Sequence, residues 1–458
     1  MCVPTRRRTP RKKYCPPIEL EYIATALEGL VDTITLVDMR FELDIGALIA
    51  KYKTRSALPL RKLGLSARGR RGRRQAPAGV TVIFGGRHAT TAVEALFADT
   101  PHLDVIVRGE GEEIIRDLAN GLPREQITGI SYRLNGGLVH NANRTLTRLD
   151  DDLLPDRTLR RADYRLLYKD MDLGVGVDFI STSRGCPFRC AFCTFSNNPL
   201  GEKRAWSGRS AASVVAELRT ITASFVFVVD DNFGADMRRV EKICDGIQAA
   251  GIRKTFIVAV RLEIFKHPQI LRKMFAAGFR ILTIGIESAQ DKTLNAMQKG
   301  FDTAQAEKAF AVIRKVGFFI HGYFIVGCLG ETEAEMLEIA AFATRLKVDT
   351  IDLCLLRTET FSPLNALIAA SGTYHARADG YVVSEAYDLD KLQAIRRHIR
   401  KNYYTLWSLV RIGARIIRVH PFSGPALLRL ALRFLSLGLA SRRPNGHERA
   451  ELSTANRG

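Results

Sequence analysis

Acid is scarce in this 458-residue chain: 48 Asp and Glu stand against 68 Lys and Arg, a formal charge of +20. Between Asp44 and Glu94 there is no acid at all. Such an excess attracts nucleic acid phosphates and anionic lipid alike. In the C-terminal part, arginines interrupt any run of the roughly 20 apolar residues that would span a bilayer. The basic start is followed by Pro16 and Pro17 rather than by an apolar stretch, so no secretory signal is expected. Internal repeats are absent. Five of the eight cysteines, Cys2, Cys15, Cys244, Cys328 and Cys354, are scattered and read as packing or surface residues. The length exceeds one typical domain and allows substantial cores.

The other three cysteines crowd into Ser183-Arg184-Gly185-Cys186-Pro187-Phe188-Arg189-Cys190-Ala191-Phe192-Cys193-Thr194-Phe195. No His or further Cys lies close enough to complete a tetrahedron, the next being Cys244. Two readings follow. One is a structural zinc site short of its fourth ligand. The other is an iron–sulfur cluster held by three thiolates, Cys186, Cys190 and Cys193, with one iron open to a substrate or cofactor. Gly185 and Pro187 favour an irregular turn in which sulfurs can converge. Arg184 and Arg189 would offset thiolate charge, and Phe188, Phe192 and Phe195 would shield the cluster from water. Such thiols imply a reducing, cytoplasmic setting.

This C-x3-C-x2-C run, preceded by the strand-like Asp178-Phe179-Ile180-Ser181-Thr182-Ser183, resembles the radical S-adenosylmethionine (SAM) superfamily. The resemblance implies a [4Fe–4S] cluster, SAM bound at its open iron, and reductive cleavage of SAM to a 5′-deoxyadenosyl radical. Downstream, apolar strands alternate with helical stretches, the signature of βα units. Phe225–Val229 ends in Asp230-Asp231-Asn232, Phe256–Val260 in Arg261, Ile281–Ile286 in Glu287-Ser288, and Phe318–Gly327 runs into Gly330-Glu331-Thr332. Polar residues thus collect at carboxyl ends, where barrel sites are built. Asp230 and Asp231 could equally cap the next helix. By resemblance, Asp230, Asp231, Arg261, Glu287 and Ser288 contact SAM, and Gly285 is a place of close backbone approach. A partial (β/α)6 barrel of the TIM type is expected over residues 170–370.

Upstream, Thr33–Asp38 reads as a strand with an acid at its end. Val80–Phe84 runs into Gly85-Gly86-Arg87-His88, and Asp104–Arg108 into Gly109-Glu110-Gly111-Glu112. Small residues at strand ends let a large cofactor approach backbone amides and helix N-termini. With the helix expected at Pro16–Leu27, their order is similar to the cobalamin-binding domain of B12-dependent radical SAM enzymes. That likeness implies an α/β architecture with a Rossmann-like domain over residues 1–150, and cobalamin contacts from Asp38, Gly85, Gly86, His88, Gly109 and Glu110. No Asp-x-His-x-x-Gly segment supplies a lower axial base. The chain departs from the pattern at Arg6-Arg7-Arg8 and Arg11-Lys12-Lys13, and in a basic insert, 51–78, where an apolar strand and helix would stand. A sheet short of two strands leaves edges unpaired. The domain is degenerate, or a stretch of reading frame has changed, or the arginines bind something.

After about residue 371 the chain becomes helical and basic to residue 440, and Ser441–Gly458 has the composition of a disordered tail. Arg411, Arg415 and Arg418 interleave with apolar residues, as do Arg429 and Arg433 within Leu427–Leu435. Such segments either lie on a membrane surface, on its inner face, or cap the barrel with a solvated basic side. Cys193–Ser196 and Lys203–Ser210 look like B12-dependent methylases of unactivated carbon, and His321–Gly327 with the tail after Ser362-Pro363-Leu364 is similar to the hopanoid C-3 methylase subgroup. The implied function is methylation of an apolar metabolite or lipid, served by an electron donor such as flavodoxin or ferredoxin. A tRNA-modifying enzyme and a non-catalytic cluster-binding descendant are the alternatives. No compact β-rich RNA-binding module follows the barrel.

Overall fold

The computed structural model describes residues 15–38, 81–146, 149, 151–167, 172–194 and 200–419, with backbone alone at 2–3, 56–57, 168, 171 and 424–425. The expectations for Arg6–Lys13, the basic run at 51–78 apart from its backbone at 56–57, Phe195, Leu427–Leu435 and the 441–458 tail fall outside these residues.

Near the N-terminus, β1 (Cys2–Val3) pairs in parallel with β2 (Val37–Asp38). A second sheet runs in the order β3 (Ser56–Ala57), β4 (Thr81–Phe84), β5 (Val105–Val107), β6 (Ile130–Leu134) and β7 (Gly137–His140). Only β3, β4 and β5 are parallel; β6 and β7 join antiparallel. The strand expected over Thr33–Asp38 is reduced to its last two residues. The antiparallel continuation has a local cause. Asn135 and Gly136 both adopt positive φ, 50° and 82°, the two-residue turn whose twist suits a hairpin. Within β5 all three residues are buried, as befits a strand covered on both faces. Ile18, Tyr22 and Ile23 of helix Ile18–Thr25 pack with Val105, Val107 and Ile130 in one core.

The larger sheet follows. β8 (Arg165–Tyr168) forms a hairpin with β9 (Met171–Ile180), and β10 (Ser183–Arg184) pairs with β11 (Ser207–Gly208). Then β12 (Phe225–Val228), β13 (Thr255–Val260), β14 (Phe279–Glu287), β15 (Phe319–Val326) and β16 (Thr350–Leu355) line up beside β9 in chain order. The six strands β9 and β12 to β16 are parallel and curl into a partial barrel. Alternation divides their faces. Phe256, Val258 and Val260 turn outward to the helices, whereas Ile257 and Ala259 turn inward. Several connecting helices start at side-chain caps, Ser210 and Asp236 among them, with full capping boxes at Asp302/Gln305 and Thr332/Glu335.

Two C-terminal helices finish the barrel. Leu389–Tyr403 buries Leu392, Ile395 and Ile399 against the outer core. Leu406–Val419 closes the amino end, its Ile412 and Val419 packing with Val177, Phe225, Ile281 and Phe319. The sequence suggested that this helix's arginines face lipid or water; the structure corrects this for two of them. Arg415 donates to Asp349 Oδ1 at 3.2 Å and to the carbonyls of Gly317 and Phe318, and Arg411 donates to Val348 O at 3.2 Å. The segments entering β15 and β16 present carbonyls and a buried carboxylate that need donors. Beside these inward contacts part of its apolar surface faces outward: Leu406 and Trp407 are 77% and 82% exposed. Among the described residues no helix is long and apolar enough to cross a membrane.

The two sheets meet through buried charge. Glu21 pairs with Arg160, Asp178 with Arg157 and Arg160, and Glu217 with Arg157 and Arg209. Three acids and three arginines balance. Buried networks of this kind favour one arrangement because a shifted one leaves charges unpaired.

Candidate functional site

The cysteine loop leaves β9 and returns through β11, its base closed by the β10–β11 pair. Gly185 has φ +82°, and a Cβ there would lie 3.1 Å from Ala205 O, so the tight entry requires glycine. Cys190 is buried, Cys186 and Cys193 are half-buried, and all three are free thiols. Cys193 N–H donates to Cys190 O at 3.0 Å. Burial pushes the Cys186 thiol up, against the Phe188 amide and Arg261. Arg184 and Arg189 do not serve the sulfurs as expected. Arg184 turns to Glu112 and Glu110, Arg189 is exposed, and the cation at the thiols is Arg261, whose Nη1 donates to Cys190 Sγ at 2.9 Å while its guanidinium stacks 3.8 Å over Phe188.

Among the described residues no three His, Cys, Asp or Glu side chains gather where one metal ion could sit. Three thiolates spaced along a loop suit separate corners of a larger cluster. Next to the loop, Asn232 is 1% exposed, and its side chain reaches the Cys186 thiol, where it favours the ionised sulfur.

At the carboxyl ends of the strands, the acids are already engaged. Asp230 accepts from Thr182 N, Thr182 Oγ1 and Ser183 Oγ, each at 2.6 Å, and burial pushes its carboxyl up. Asp231 accepts from Gly185 N at 2.7 Å. Both therefore fix the entrance to the cysteine loop. Arg261 Nη2 also donates to Lys299 O. Lys299, 3% exposed, donates from Nζ to Glu287 Oε1 at 3.1 Å and lies 5.6 Å from the Phe192 ring. Glu287 has φ +76° at a bulge in β14. Its carboxylate occupies the space over Gly285, where a Cβ would lie 2.3 Å from Oε1. Gly285 is thus a close approach as expected, but the approaching group is a side chain of the same strand. Ser288 Oγ is spent on Glu331 Oε1 at 2.6 Å.

From the other side come the glycine loops. Gly85 is buried, and Gly86, with φ +92°, opens the helix Arg87–Thr91, which carries the half-buried His88. Gly109, φ +84°, donates its N–H to Thr90 Oγ1 at 3.0 Å, so the two loops meet. Both reach the cysteine loop. Arg87 Nη2 donates to Thr194 Oγ1 at 2.5 Å, Glu110 pairs with Arg204, and Glu112 pairs with Arg184 at 2.5 Å. Burial disfavours charge on Glu112, but Arg184 outweighs it and holds that carboxyl below its ordinary value; on Glu110 burial prevails and raises it. A cleft of about 350 Å³ lies between the two sides, lined by Thr90, Arg108, His140, Asn143, Leu200 and Phe361. Asp38, at the end of β2, is buried and accepts from Tyr164 Oη at 3.0 Å. Sequence reasoning overlooked Lys299, which stands in no motif, and gave Arg204 no role beyond its place in the Lys203–Ser210 stretch; only the fold brings both to the loop.

Residues 180–343 match the radical SAM superfamily model. The chain is 28% identical over 360 residues to an uncharacterized methyltransferase of Pyrococcus horikoshii, covering 73% of this chain and 74% of that protein. It is 24% identical over 247 residues to the hopanoid C-3 methylase of Methylococcus capsulatus, covering 52% and 45%. Two solved structures share the fold. One is the radical SAM methyltransferase TsrM from Kitasatospora setae with cobalamin and a [4Fe–4S] cluster, at TM-score 0.63, 19% identity and coverage of 81% and 77%. The other is the cobalamin-dependent SAM radical enzyme OxsB with aqua-cobalamin and SAM, at TM-score 0.68, 16% identity and coverage of 95% and 75%.

Proposed function

The chain is a radical SAM protein, and from that premise we propose that it is a cobalamin-dependent methyltransferase acting on an unactivated carbon. Cys186, Cys190 and Cys193 would hold the [4Fe–4S] cluster, and the loops of Gly85, Gly86, His88 and Gly109 would hold cobalamin. When bound, the cluster supplies the electron that cleaves SAM, and cobalamin supplies a carrier for the methyl group. The protein's own residues orient and shield. Asp230 and Asp231 fix the loop entrance, Arg261 lies against the Cys190 sulfur, and, with the cofactors bound, Glu287 would help hold SAM while Phe188 and Phe192 would exclude water. The observation that carries the reading is the triple contact of the glycine loops with the cysteine loop, Arg87–Thr194, Glu110–Arg204 and Glu112–Arg184. It sets a nucleotide-type sheet edge against a cluster-type loop.

Anaerobic reconstitution with iron and sulfide, then addition of SAM and hydroxocobalamin in turn, tests this reading. Expected are iron bound at the cysteine loop, 5′-deoxyadenosine release, and methyl transfer from labelled SAM only with cobalamin. Alanine at any of the three cysteines should abolish iron binding. Unchanged iron content and nucleoside release in those variants would sink the proposal.

Residues 1–150 form the cobalamin-binding unit, 170–370 the barrel and 371–440 its helical cap in this reading. The substrate is an apolar small molecule or lipid, with a hopanoid as the representative suggested by the methylase it resembles. An electron donor of the flavodoxin or ferredoxin kind reduces the cluster. Peripheral membrane contact is assigned to the outward stripe Leu406, Trp407, Val410 and Ile417, whose aromatic and aliphatic residues suit the interface.

A further inference from the structure

The inner wall of the barrel changes chemistry from one side to the other. Ile320, Phe324, Ile351, Leu353 and Leu355 join the core beneath the outer helices. Alternation therefore turns their neighbours on β15 and β16 to the concave side. On the β9–β13 side that inner wall is apolar: Phe179, Phe227 and Ile257 belong to the cluster sealed below by Ile412 and Val419, with Val229 40% exposed above them. On the β15–β16 side, between the buried Phe319 and Ile325 of β15, it carries polar side chains. His321 lies opposite Thr350, and Tyr323 opposite Asp352. His321 Nδ1 and Thr350 Oγ1 share a hydrogen bond of 2.8 Å, and the His321 and Tyr323 rings meet edge-on at 4.8 Å.

This polar side is open. Tyr323 is 36% exposed, and Asp352 and Cys354 are exposed as well. Asp352 Oδ1 accepts from Leu353 N at 2.9 Å; a wholly apolar substrate would strip water from the rest of the carboxylate without a replacing donor, which is costly. We infer that the substrate is amphipathic, with its apolar body on the Phe179, Phe227 and Ile257 wall and a hydrogen-bond donor, hydroxyl or ammonium, on Asp352 and Tyr323. The inference rests on the proposed reading of the barrel as the reaction site and narrows its substrate class.

Cys354 is a native reporter two residues from Asp352; burial and then the Asp352 charge raise its thiol. The cluster-loaded full chain is treated with cationic and anionic methanethiosulfonates, and modification at Cys354 is followed by mass spectrometry in the native protein and in Asp352→Asn. The cationic reagent should react about tenfold faster, falling to about equal rates in the variant. Octylammonium should protect Cys354 in the native protein and not in the variant, while octanoate should protect in neither. Equal rates in the native protein, an inert Cys354, or equal protection by octanoate overturns the inference. Thiol labelling needs no turnover, so a failure of methyl transfer would be scored separately. Asp352 is exposed on an edge strand, and an unchanged Tm would establish that the variant is folded.

Discussion

Single residues around the cysteine loop differ in how far the sequence betrays them. The cysteine triplet is legible because three sulfurs so close have few structural uses. Glu287 and Ser288 are legible as polar residues ending an apolar strand. Lys299 is not, because nothing local marks a lysine that tertiary folding will bury beside Glu287 and Phe192. On the proposed role of Glu287, Lys299→Met weakens SAM affinity about tenfold at unchanged iron content, since a buried carboxylate then loses its partner. Lys299→Arg should recover most of that loss. Gly285→Ala should act alike, its Cβ displacing the Glu287 carboxylate. Equilibrium SAM binding to the reconstituted protein, beside iron analysis, checks both; unchanged affinity in either would remove Glu287 from the SAM site.

Among the elements, the inner strands are the most readable, with largely apolar stretches such as Phe225–Val228 in β12 and Ile281–Ile286 in β14 leading into polar residues. Helix Leu406–Val419 shows the limit. Its pattern announces two faces, but not which of them meets the protein. The answer lies in Asp349 and the carbonyls of Gly317, Phe318 and Val348, which draw Arg411 and Arg415 inward. Arg415→Met leaves the fully buried Asp349 carboxylate with only the more distant Arg314, at 3.8 Å, and the Ile320 amide as described partners, and should destabilise the fold by up to roughly 3 kcal/mol in urea denaturation. Asp349→Asn in the same chain should return much of it. Burial raises the Asp349 carboxyl above its ordinary value, so the folded state takes up a proton before the unfolded one. Its ionisation therefore costs stability as pH rises, and losing Arg415 deepens that cost. The gap between Arg415→Met and the native protein should narrow as pH falls through the carboxylate range.

At the scale of the whole molecule, the relation between the two sheets decides the site. Glu112 and Arg184 are 72 residues apart in sequence, and their pairing at 2.5 Å fixes the glycine loops to the cysteine loop. Glu112→Arg should speed amide exchange in helix Glu112–Ala119 about tenfold, and the reversed pair Glu112→Arg with Arg184→Glu should restore protection. Independent effects of the two substitutions would mean that this contact does not hold the sheets together. The outward stripe near Trp407 makes a separate expectation. Trp407→Ser should lower retention on anionic vesicles several-fold, with the remainder lost at high salt. Undiminished retention would place the membrane contact elsewhere.

The sequence by itself determined the chemistry available: a thiolate trio with no fourth ligand, strands that end in polar residues, and glycines ahead of helices. These are local properties, written within a few residues of one another. Only the tertiary structure decided which groups meet. Burial of Glu21, Asp178 and Glu217 with Arg157, Arg160 and Arg209 sets one sheet against the other, and the curl of the barrel gathers Tyr323 and Asp352 onto one inner wall. Such pairings depend on long-range packing and the exclusion of water, which sequence proximity does not encode.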